Sequence, residues 1–104
     1  MDKTNFTITK KAEAPEVIFE AAGYVVYDTA GLFEKTLSDS FNDDPKSLTV
    51  DMEKIDIFTS VGIRVVLKIY KNATEKGIEF NIINPSDVVK NVLEMSNLTT
   101  LLLK

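Results

Sequence analysis

The sequence predicts an α/β protein, a single-layer mixed sheet of four or five strands with helices packed against it, in one domain spanning residues 1–104. Two strand-like segments come before any helical one, and helical and strand-like segments then take turns to the end of the chain. That order implies parallel neighbours joined by right-handed crossovers, with an antiparallel hairpin at the opening edge. An apolar content of 44% in 104 residues, with no Gly/Ser linker, low-complexity run or repeat, is enough for one core without metal or cross-links.

From Phe6 to Ala12, Phe6 and Ile8 alternate with threonines as in a half-exposed strand, and Pro15 marks a turn. Glu16 to Ala22 alternates again, with Val17, Phe19 and Ala21 on one face; Gly23 is placed where a strand bends before Tyr24, Val25 and Val26. Leu32, Phe33, Leu37 and Phe41 are spaced as one face of a first helix over about Thr29 to Phe41, which Asn42-Asp43-Asp44-Pro45 ends. Leu48, Val50 and Met52 alternate in a strand over Ser47 to Met52, and an apolar loop, Ile55 to Gly62, leads to the second helix. That helix buries Val65, Val66, Ile69, Tyr70 and Ala73, turns Arg64, Lys68 and Lys71 to water, and stops at Lys76-Gly77. Residues 78 to 83 form another strand. Asn84-Pro85-Ser86-Asp87 reads as an N-cap asparagine, a proline at the first helical position and an acid in the first turn of a third helix reaching about Ser96. Leu98 to Leu103 reads equally as a final strand or a short closing helix.

Composition removes several function classes. The chain has no cysteine and no histidine, which excludes a disulfide scaffold, a thiol nucleophile, a zinc-thiolate or His-based metal site and a Ser-His-Asp triad. A net charge of −4 with scattered Lys and Arg argues against a nucleic-acid partner. The opening residues lack an apolar h-region and no segment has the unbroken apolar length of a membrane span, so the expectation is a soluble, cytoplasmic protein without membrane insertion. A phosphate-cradling Gly-rich loop, a Gly-x-Ser-x-Gly elbow and a Cys-x-x-Cys pair are all missing, and the expectation is no enzyme, no metal and no cofactor. Asp51, Glu53 and Asp56 gather near the carboxyl end of a strand, where α/β sheets bind ligands, and read as solvated loop acids.

Thr59 and Ser60 are more informative. A hydroxyl residue directly before an apolar-periodic segment is an N-cap. The same place also suits an added phosphate, because free N–H groups and the positive end of the helix dipole converge there.

The run Leu48-Thr49-Val50-Asp51-Met52-Glu53-Lys54-Ile55-Asp56-Ile57-Phe58-Thr59-Ser60-Val61-Gly62-Ile63-Arg64-Val65-Val66-Leu67 resembles the central segment of STAS domains. In that family a strand ending in Asp passes through a short loop to a Ser-containing turn, a Gly and an apolar helix. Gly23 with Thr29-Ala30, and Met95-Ser96-Asn97-Leu98, resemble further family landmarks, so the likeness runs over essentially the whole chain. It implies an anti-sigma factor antagonist. Such proteins bind an anti-sigma factor that is also a kinase, are phosphorylated by it on a serine at the start of this helix, and are reset by a phosphatase. Ser60 is the phosphate acceptor the resemblance implies, with Thr59 second. The implied partner surface comprises Gly23, Tyr24, Asp28, Asp56, Phe58, Ser60, Val61, Gly62 and Arg64. Three departures matter: Thr59 stands where the family turn carries Asp, Val61 where it carries the usual acceptor Ser, and Val26 where many relatives have an acid. They favour an alternative, a STAS scaffold that binds another regulator without being phosphorylated.

Overall fold

The computed structural model describes residues 5–103. Four strands pair in the order β1-β2-β3-β4: β1 (Phe6–Ala12), β2 (Glu16–Val25), β3 (Ser47–Phe58) and β4 (Glu79–Ile83). The β1–β2 hairpin is antiparallel, and the β2–β3 and β3–β4 pairs are parallel. Helices α1 (Tyr27–Asp39) and α2 (Ser60–Glu75) make the two crossovers and pack on one another, while α3 (Asp87–Met95) and α4 (Thr99–Leu102) follow β4.

Alternation decides which sheet face is covered. In β2, Val17, Phe19, Ala21, Gly23 and Val25 are buried, whereas Ile18, Glu20, Ala22 and Tyr24 on the other face are only half-buried. Leu48, Val50 and Met52 continue the buried face across β3, and Phe80 and Ile82 across β4. The buried side chains form one cluster, closed from the helical side by Phe33, Leu37, Val65, Val66, Ile69, Val89, Leu93 and Leu102. Phe6 meets Phe33 edge to face at 5.7 Å between ring centroids.

The sequence places β3's end at Met52, but the strand runs on to Phe58. Its register against β2 slips by one residue between Glu20/Ala22 and again between Gly23/Tyr24, so β3 carries two extra residues. Each bulge breaks the period of two, which is why burial moves from Leu48, Val50 and Met52 to Ile55 and Phe58. Gly23 does not end β2; it lies inside the strand at φ +100°. A Cβ there would run into the carbonyl oxygen of Asn5, which accepts the Tyr24 N–H at 2.7 Å.

Helix boundaries shift for identifiable reasons. α1 starts earlier than expected, and a 3₁₀ turn, Ser40–Asp43, follows it. Its buried face is Thr29, Phe33 and Leu37, whereas Leu32 is 53% exposed. The α2 stop is as expected: Gly77, at φ +72°, lets its own N–H reach Thr74 O and the Ile78 N–H reach Ala73 O. α3 is capped by Ser86, whose hydroxyl accepts the Val89 N–H at 3.3 Å, not by Asn84. Asn84 instead turns left-handed and donates its amide to Asp51, tying the α3 entry to the middle of β3. At the carboxyl end both readings hold in part: α4 is a single turn, and Leu103 then bridges Ile82 in parallel.

Candidate functional site

The parallel strands β2 and β3 end together, Val25 opposite Phe58. Both chains turn into a helix within two residues, so the amino-terminal ends of α1 and α2 stand side by side on one edge of the sheet. The Thr59 N–H and the Thr59 hydroxyl both donate to Val25 O, at 3.1 and 3.2 Å, which ties the two turns together. On the α1 side the buried Thr29 hydroxyl accepts the Val26 N–H at 3.0 Å and donates to Tyr24 O at 2.6 Å. Each turn is held by a threonine hydroxyl, and Thr59, the N-cap residue of α2, spends its hydroxyl on Val25 and not on the helix.

Gly62 sets the shape of the second turn. The Phe58 ring lies directly against it, and a Cβ on Gly62 would sit 2.6 Å from the nearest ring carbon. Because Phe58 is only 4% exposed, its ring cannot swing aside into solvent. Ring and glycine together press the start of α2 against the end of β3.

These contacts sort the sequence-derived residues. Thr59 is the N-cap of α2 with its hydroxyl committed to Val25, and Ser60 is the first helical residue, exposed, with no side-chain hydrogen bond among the described residues. Asp28, Asp56 and Arg64 are exposed, and Tyr24 and Val61 are half-buried. The expectation that Phe58, Gly62 and Gly23 offer contact surface is revised: all three are buried and act by shaping the strands and turn beneath it. Tyr27, 84% exposed, and Ile57, 39% exposed, add apolar surface on the same edge and were not singled out from the sequence. Val25 and Val26 read as one apolar run with Tyr27, and Phe58 as another with Ile57, and only the geometry separates members that face in from members that face out. Three open surface clefts, around Glu94 and Thr99, Lys10 and Asp43, and Tyr70 and Phe80, lie away from this edge. Tyr27, Ile57, Ser60 and Arg64 at this edge are exposed side chains, and none of them lines these three clefts.

A family model for the STAS domain matches residues 5–103. The chain belongs to the STAS family. Among solved structures, this STAS chain is similar to an anti-sigma factor antagonist from Mycobacterium paratuberculosis, at a TM-score of 0.85 and 15% identity, covering 97% of this chain and 86% of that one. It is also similar to the anti-sigma factor antagonist SpoIIAA in its unphosphorylated form, with a TM-score of 0.78, 16% identity and coverage of 94% and 85%. The phosphorylated form of SpoIIAA, a Bacillus cell fate determinant, matches at 0.74 and 15% identity over 93% and 89%. At these identities the likeness establishes a shared STAS fold. No curated protein sequence matches the chain closely enough to count as a relative.

Proposed function

We propose that this chain is an anti-sigma factor antagonist, docking through the paired helix starts onto an anti-sigma factor kinase and released when Ser60 is phosphorylated. The observation that carries the reading is the contrast between the two hydroxyls: Thr59 is spent on Val25 O, while Ser60 points out of the first turn of α2, exposed and unbonded among the described residues. A phosphate there adds a charge of about −2 beside free helix N–H groups, so it is tolerated by the fold and felt by the partner. Tyr27 and Ile57 supply the apolar area a partner would desolvate, and the exposed Asp28, Asp56 and Arg64 supply charges that set orientation. Structural likeness to antagonists solved in both phosphorylation states supports the reading. A phosphatase acting on Ser60 completes the cycle.

A second reading is a STAS scaffold that binds another regulator without a phosphate switch. Val61 and Thr59 favour it, since they replace the usual acceptor and acid of the family turn. Capture from lysate with wild type, Ser60→Ala and Ser60→Asp, followed by mass spectrometry of bound proteins and modified sites, separates the two. The switch predicts that an anti-sigma factor kinase is held by wild type and Ala but not by Asp. Equal binding by all three, with Ser60 and Thr59 unmodified, leaves the scaffold.

A further inference from the structure

Helix α2 differs from α1 and α3 in charge. It carries Arg64, Lys68 and Lys71 against the single acid Glu75, a net +2 in a chain of net −4. At about 100° per residue, Ser60, Arg64, Leu67, Lys68 and Lys71 fall within one sector about 100° wide. All five are exposed, Leu67 at 37%, and the sector faces away from the buried line of Val65, Val66, Ile69 and Ala73. Lys68 reaches back to Glu34 of α1 at 2.7 Å, which leaves Arg64 and Lys71 without an ion-pair partner among the described residues on either side of Leu67. α1 and α3 carry more acid than base, so the strip is not a general property of the helical surface.

We infer that this strip docks an acidic, amphipathic helix of the partner, whose carboxylates meet Arg64 and Lys71 and whose apolar side chain seats on Leu67. The inference rests on the docking surface proposed above and deepens it, since Ser60 heads the same sector. Charge complementarity selects the occupant: two free cations flanking an exposed leucine match carboxylates flanking an apolar anchor, and long-range attraction of this kind acts mainly on association rate. It also gives phosphorylation of Ser60 a second consequence. A charge of about −2 one turn from Arg64 neutralises the head of the strip and weakens attraction there.

The test is a titration of the intact ¹⁵N-labelled protein with a synthetic 18-residue helical peptide carrying glutamates one turn apart on both sides of a leucine. Otherwise identical glutamine and lysine versions, and vesicles of phosphatidylglycerol and phosphatidylcholine, serve as comparisons. The expected result is amide shifts confined to α2 and its start with the glutamate peptide. Apparent affinity should fall roughly tenfold between low salt and 0.3 M NaCl, where the Debye length shrinks to a few ångströms. Arg64→Glu with Lys71→Glu should abolish the shifts, and Arg64→Gln with Lys71→Gln should weaken binding several-fold, the dispersed spectrum of each variant confirming its fold. Shifts that are absent, that appear equally with the lysine peptide, or that appear only with anionic vesicles would overturn the proposal. Neither kinase nor sigma regulator enters this assay, so a flat titration removes the acidic-helix partner and leaves the Ser60 switch standing. Failure of the Ser60 capture experiment likewise leaves the strip untouched.

Discussion

Replacing Gly62 by alanine should destabilise the protein only while Phe58 is present. Two effects oppose each other. Alanine in place of glycine within a helix stabilises by about 0.5–1 kcal/mol through backbone entropy. Against that, the new methyl meets the Phe58 ring with its three nearest atoms at 2.6 to 2.9 Å, about 1 Å inside ordinary carbon contact. Overpacking of that kind costs about 1–3 kcal/mol when the neighbour is buried and cannot yield. The net expectation is a loss of about 1 kcal/mol for Gly62→Ala in the wild type. In a Phe58→Leu background the ring is gone and only the helix term survives, so the same substitution should stabilise by about 0.5–1 kcal/mol. The assay is a double-mutant cycle by urea denaturation, with expected coupling of about 1.5–2 kcal/mol. Coupling below about 0.5 kcal/mol, the usual limit of additivity, would show that the ring moves aside freely and that the Phe58–Gly62 contact does not hold the turn.

Three further outcomes follow from contacts already described. Gly23→Ala should cost about 3 kcal/mol or more, because a side chain at φ +100° is strained and its Cβ meets the Asn5 carbonyl; a fall in Tm of only a few degrees would contradict this. Thr29→Val removes the hydroxyl that serves both Val26 N–H and Tyr24 O and should cost about 1–2 kcal/mol in chemical denaturation, whereas Thr29→Ser should recover most of it. Ser60→Ala should leave stability within about 0.5 kcal/mol of wild type, since that hydroxyl is exposed and unbonded among the described residues. In a kinase-labelling assay the same change should remove the incorporated phosphate while Thr59→Val retains it; labelling that follows Thr59 would reverse the assignment.

Strand order, the opening hairpin, the three principal helices and the Gly77 stop were legible because each has a local signal in periodicity or in turn chemistry. The far half of β3 was not. Its two bulges exist only as a mismatch with β2, and a single chain read alone shows a broken alternation that looks like a loop. Asn84-Pro85 misled in a different way. The dipeptide has cap chemistry, but Asp51 on a strand 33 residues earlier claims the Asn84 amide, and Ser86 takes over the cap. At the site, the position of Ser60 at the start of a helix was readable from spacing. The inward turn of Phe58 and the outward turn of Tyr27 were not, because both belong to apolar runs whose facing depends on where a strand gives way to a helix.

The antiparallel hairpin also decides where the molecule can be handled. Asn5 sits beside Tyr24, at the same edge as the helix starts and the docking surface proposed above. The turn between β1 and β2 lies at the other end of β2, where Glu16 is eight residues and about 27 Å of extended chain from Tyr24. A fluorophore, affinity handle or surface tether at Glu13 would leave the proposed docking edge open, whereas the same group on Asn5 would compete with a partner seated there. Tethers at Glu13 and at Asn5 in turn would act as a ruler for how far a bound partner's footprint extends from Ser60 towards β1.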